Sequence, residues 1–216
     1  MKTIVSLLII AVMVGNVTAG FTNDDKYVAA MQKNIQTLYQ ATEIPDLQQV
    51  VNALERIASV EKTKWEPYYY ASFGYVMIAN REQDAAKKDG YLDQAMASLN
   101  QAKAILPNDS EVVALEGFVY MLRITVDPAT RGPQYAGQAM QAFGKASALN
   151  PENPRALTLT AQMQYGTAQF FGSPTTEACT TLNAALEKFN TFKSDNPLAP
   201  QWGKGMAEGL KMECGK

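Results

Sequence analysis

The sequence predicts an all-α protein made of helical hairpins, about nine helices following a leader segment. Three observations carry this. Apolar residues recur at helical spacing nearly throughout, as in Leu47, Val50, Val51, Leu54 and Ile57. No run alternates apolar and polar residues for long enough to argue a sheet. One phrase is also written twice: QAMASLNQAKAILPND, from Gln94 to Asp109, returns 44 residues later as QAMQAFGKASALNPEN, from Gln138 to Asn153. A phrase repeated at a fixed period is the mark of one supersecondary unit stacked on copies of itself.

The elements follow in order. Lys2, an apolar run from Ile4 to Val14 and the small-residue exit Gly15-Asn16-Val17-Thr18-Ala19 have the form of a secretory signal, with cleavage expected after Ala19. The run is too short to span a bilayer, which takes about 20 residues. The remaining chain, 20–216, is read as one domain. Asp24-Asp25 caps a first helix over 24–42, and Pro45 precedes a second over 46–62. Pro67 opens a third, 67–84, and the stretch from Asn80 to Gly90 separates it from a fourth, 90–106. Pro107-Asn108-Asp109 leads into 109–126, Asp127 to Pro133 into 134–149, and Pro151 to Pro154 into 153–170. Gly172 to Pro174 precede 175–194, and Asn196-Pro197 precede a last helix over 198–212.

The repeated phrase resembles the second helix of the tetratricopeptide repeat family. That helix carries a small residue, a large apolar one four later, Ala three later and Pro five later. Here Ala95, Leu99, Ala102 and Pro107 fit, and again Ala139, Phe143, Ala146 and Pro151. Gly117 and Tyr120 match the family's first helix, and Ala178, Leu182 and Ala185 give a third, Pro-less copy. The clear resemblance covers residues 67–170 and fades into degenerate repeats at 24–62 and 175–212. The period departs from the family's: 44 residues here, against about 34. The excess falls between first and second helices, near 79–90, 125–135 and 169–175, where it is expected to lengthen the first helices, their loops, or both.

The resemblance implies a right-handed α-solenoid whose first helices line a concave groove that binds protein or peptide. Carried over, the groove positions are Tyr68, Tyr75 and Ile78, then Glu111, Phe118, Met121 and Leu122, then Arg155, Gln162 and Tyr165. The set is rich in Tyr and apolar residues, which bring large contact area at low entropic cost. Only Arg155 is basic, so the clamping of a carboxylate-ended chaperone tail is not expected. In a short array the concave side can instead be filled by the chain's own terminal helices, and these residues are then core.

Composition excludes other classes. The 216 residues contain no His and two Cys, with a formal net charge of −2. The commonest general base and metal ligand are therefore missing, thiolates are too few for a metal site, and no Gly-rich phosphate loop is present. No basic run invites nucleic acid. The expectation is an exported, periplasmic or secreted, binding or scaffold module. It needs no cofactor or metal, does not insert in the membrane once mature, and is not an enzyme. The alternatives are a structural envelope protein with a self-filled groove and, disfavoured, an enzyme.

The two cysteines suggest a disulfide. Cys179 lies 17 residues before Asn196 and Cys214 lies 18 after it. In an antiparallel hairpin turning there, both sit about 25 Å from the turn, level on adjacent helices. An exported chain meets the oxidising compartment such a bond requires. The alternative is a buried Cys179 with a free Cys214 thiol on a loose tail, because helix rotation decides whether the sulfurs meet.

Overall fold

The computed structural model describes residues 23–215; the leader and its cleavage point lie outside the described residues. Among these there are nine helices and no strand: α1 Asn23–Gln40, α2 Ile44–Val60, α3 Glu66–Arg81, α4 Ala85–Ile105, α5 Ser110–Ile124, α6 Pro128–Leu149, α7 Pro154–Phe171, α8 Thr176–Thr191 and α9 Lys204–Cys214. Local chemistry sets most starts. Asp84, Asp109, Asp127 and Asn153 each accept hydrogen bonds from backbone N–H groups in the first turn of α4, α5, α6 and α7. Proline occupies the first turn of α2, α3, α6 and α7, where no N–H is needed.

Consecutive helices pack as stacked hairpins. The backbones of odd-numbered helices also approach one another, α1 to α3, α3 to α5, α5 to α7 and α7 to α9, whereas among the described residues those of successive even-numbered helices do not. The odd row is therefore the tighter one and forms the concave side of an α-solenoid. The repeated phrase is the face that builds it. Ala95, Leu99, Ala102, Ala139, Phe143 and Ala146 are all completely buried. Gly117 explains the small residue in the facing helix, since a Cβ there would lie 2.4 Å from the Phe143 ring. Only glycine admits that approach.

Two expectations are corrected. The extra residues of the long repeat lengthen the second helices rather than the first: α4 has 21 residues and α6 has 22. Gly90 and Pro133, read as breakers, lie inside α4 and α6. Pro133 sits in the second turn, where it removes a single backbone bond. The extended starts are braced from the side. Arg131 of α6 binds Asp89 of α4 through both guanidinium arms, and Arg123 of α5 reaches Asp93 at 2.6 Å. The Arg131 contact holds the Asp89 carboxyl below the usual carboxylate range. Tyr120 and Tyr135 stack beside them at 6.2 Å.

The second correction concerns the last helix, which starts at Lys204, not at 198. Residues 192–203 instead cross the concave side without regular structure, and Leu198, Ala199 and Trp202 are buried there. Pro197 and Pro200 disfavour helix, and Gly203 at φ 103° makes the turn into α9. The disulfide is present: Cys179 and Cys214 are bonded, their Cα atoms 5.8 Å apart. It ties α9 to α8, beside a small second core of Ala161, Leu182, Ala207 and Leu210 and the contact of Met206 with the main core.

Candidate functional site

The concave side is occupied by the chain itself. Trp202 lies near-parallel to Phe73 of α3 at 4.9 Å and to Phe118 of α5 at 6.0 Å. Its indole N–H donates to the Tyr69 hydroxyl at 2.9 Å. The Tyr70 hydroxyl donates to the Leu198 carbonyl, the Gln201 N–H donates to Tyr39, and the Asn196 amide donates to Glu66. Two backbone groups of a strap without helix or sheet, Leu198 O and Gln201 N–H, are thus satisfied by side chains of α3 and α1. Burial pushes the Tyr69 and Tyr70 phenols well above their ordinary pKa, so both stay protonated hydrogen-bonding groups.

Beneath the strap lies a buried ion pair. Arg155 Nε and Nη2 each donate to a Glu111 carboxylate oxygen at 2.6 Å. The Phe192 ring covers the guanidinium at 4.4 Å. Burial raises the Glu111 carboxyl above its ordinary range, with Arg155 opposing that shift. The pair belongs to the packing: Arg155 is 1 % exposed.

The positions expected to line the groove divide accordingly. Phe118 and Arg155 face the strap. Ile78 and Leu122 are buried core, and Met121 is half-buried against it. Tyr68 and Tyr75 point instead toward even-numbered helices. The Tyr68 hydroxyl donates to Ala58 O at 3.1 Å, and the Tyr75 hydroxyl donates to Glu55 at 2.8 Å beside the Tyr91 ring. The reason is rotation. The inward stripe of α3 is Tyr69, Tyr70 and Phe73, and Tyr75 lies about 200° round the helix from Phe73. Gln162 is half-buried with its Oε1 unpartnered, and Tyr165 packs on the second core. The structure therefore does not bring these ten side chains, Glu111 included, into one open surface.

An open apolar site lies elsewhere, between α6, α7 and α8. A cleft of about 300 Å³ is bordered by Met140, Gln164, Ala168, Phe171, Pro174 and Glu177. Gln164 donates to Glu177 at 2.8 Å, which leaves the Gln164 Oε1 buried and unpartnered. Phe171 of this lining and the adjacent Phe170 are 72 % and 68 % exposed, edge to face at 5.1 Å. The local sequence Phe-Phe-Gly-Ser-Pro produces this. Gly172, left-handed at φ 64°, ends α7, the Ser173 N–H caps Ala168 O, and Pro174 prevents continuation. The two rings are left on the last turn with no neighbouring helix among the described residues to cover them. Sequence reading missed this pair; two adjacent Phe before Gly at a helix end was the available signal.

Among the described residues no cluster of His, Cys, Asp or Glu could hold a metal ion, and no helix is long and apolar enough to cross a membrane.

No family model matches the chain, and no curated protein matches it. Among solved structures, the HusA haemophore from Porphyromonas gingivalis is similar, with a TM-score of 0.79 and 24 % sequence identity. The match covers 90 % of this chain and 95 % of that one. The likeness shows that the two chains share a helical fold.

Proposed function

We propose that the protein is an exported binding protein of the haemophore kind, holding a flat, apolar ligand such as haem in the cleft between α6, α7 and α8. The observation that carries this is the exposed Phe170–Phe171 pair, of which Phe171 lines the cleft, in a molecule whose concave side is already filled. Exposed aromatic rings beside an apolar cleft are costly in water and favour a ligand that covers them. The cleft volume stands at the low end of ligand pockets, which run from about 300 to 1,000 Å³. A macrocycle would therefore be gripped along part of its surface. Fold-level likeness to a haemophore supports the ligand class.

The chain has no His, so no imidazole can reach a haem iron. Affinity then rests on apolar burial rather than on the axial His of many haem proteins. Export is part of the same reading, supported by the leader-like start and by a disulfide that requires an oxidising compartment. So are the tetratricopeptide-like reading of the repeat and the absence of catalysis. A second reading, a structural envelope protein, is favoured by one observation: Trp202 fills the concave side, where a peptide was expected.

Titration with haemin and with iron-free protoporphyrin, followed by the Soret band, tests the carrier reading. Replacing both Phe170 and Phe171 by Ala should weaken binding by about tenfold or more, the equivalent of one large apolar side chain's contact. Both side chains are exposed, so the helical circular dichroism should not change. No Soret change with the wild type, or unaltered binding by the double variant, would overturn it.

A further inference from the structure

We infer that the cleft between α2 and α4 is a second binding site, for a small organic cation that carries an ammonium group on an apolar body. The inference is independent of the carrier reading above. α2 and α4 both pack on α3, but their backbones do not approach each other. The space left between them is about 400 Å³, within the range of ligand pockets. Ala58 of α2, Ala71 of α3 and Ala97 of α4 keep it open, because none of them has a side chain long enough to fill it. Tyr68 lines it too, and its hydroxyl, donating to Ala58 O at 3.1 Å, fixes that side chain between α3 and α2.

Charge and hydrogen-bond direction select the ligand. Glu55 is the one charged side chain of the lining, and among the described residues no Lys or Arg borders the cleft. Lys103 of α4 is held by Glu116 at 2.6 Å, and Arg56 stands about 100° round α2 from Glu55. One Glu55 oxygen accepts from the Tyr75 hydroxyl at 2.8 Å, which orients the carboxylate and engages only that oxygen. Burial and this bond hold the Tyr75 phenol above its ordinary pKa, so it stays a donor. The hydroxyl protons of Tyr68 and Ser59 are used on Ala58 O and Arg56 O, so each oxygen has only lone pairs to offer a ligand. Ser98 and Gln101 are neutral and both donate and accept, so they do not set the sign. An ammonium group is a donor only. It gains the carboxylate, the acceptor oxygens and an aromatic neighbour. A carboxylate ligand here meets Glu55 with no cation in the lining to offset it.

The test is calorimetric titration of the protein with hexylammonium, hexanol and hexanoate, the site being located by the methyl NMR shifts of Ala58, Ala71 and Ala97. Hexylammonium should saturate at about millimolar concentration and move those methyls. It should bind about fivefold tighter than hexanol, the worth of one ion pair, and tighter still than hexanoate. Salt should weaken the ammonium alone. Glu55→Gln should erase the preference for the cation. Ala97→Leu, at an exposed position, should block all three ligands by filling the cleft, with the helical circular dichroism unchanged. Equal binding of hexanol or hexanoate, no saturation by about 10 mM, or shifts at Ala168 and Ala178 of the other cleft instead would overturn the inference. Haemin titration should be the same for Glu55→Gln as for the wild type, so either reading can fail while the other stands.

Discussion

Replacing Trp202 by Ala is expected to destabilise the whole repeat array, although Trp202 belongs to no helix. The indole is 7 % exposed and stacks on rings from two different repeats, Phe73 and Phe118. Truncating a buried aromatic costs about 3–5 kcal/mol in lost transfer energy and residual cavity. The Tyr69 hydroxyl also loses its indole donor, which places the expected loss toward the upper end of that range. For a domain of this size each kcal/mol moves the melting temperature by about 2–4 °C, so a fall of roughly 6–20 °C is expected. Urea denaturation followed by far-ultraviolet circular dichroism gives the free energy, and a thermal melt gives the shift. Amide exchange at Gln201, whose N–H is held by Tyr39, should rise in the variant, because the strap loses its anchor. Trp202→Phe, which keeps a ring but no N–H, should recover most of the loss. A loss below about 1 kcal/mol for Trp202→Ala, within the range of surface substitutions, would refute the conclusion that the strap is core.

Gly117→Ala should cost about 1–3 kcal/mol in urea denaturation, because its Cβ would lie 2.4 Å from the Phe143 ring. Gly144→Ala on the open face of α6, with nothing within 4 Å of the new Cβ, should stabilise by about 0.4–1 kcal/mol, so equal effects would contradict the packing described. Reducing the Cys179–Cys214 bond opens a loop of 35 residues and should remove about 3–4 kcal/mol on the chain-entropy model. The loss should appear first as faster amide exchange across α9, with α3 to α5 still protected; uniform loss of protection would show that α9 is not a separate weak point.

The helical class, the hairpin repeat and its core face were legible because they depend on local order. Ala95, Leu99 and Ala102 recur at spacings that put them on one side of a helix, and any helix with that stripe must bury it. The disulfide was legible for a related reason: helical rise converts residue number into distance, so Cys179 and Cys214 could be levelled on paper. Their actual bonding was open until the rotations of α8 and α9 were known. Gly90 and Pro133 misled, because a lone breaker near a helix start costs little once a neighbouring helix braces the extension, as Asp89 and Arg131 do here.

The sequence by itself determined the buried stripe of the second helices, since that is a matter of periodicity and needs no partner, but not the inward stripe of α3, which is Tyr69, Tyr70 and Phe73. Only the tertiary structure decided what lies opposite those faces. Whether the concave side stays open depends on residues 196–202 meeting α1, α3 and α5, contacts distant in sequence, up to 162 residues between Tyr39 and Gln201, that leave no periodic trace. The same holds for Phe170 and Phe171. They are exposed because, among the described residues, no helix passes over the last turn of α7.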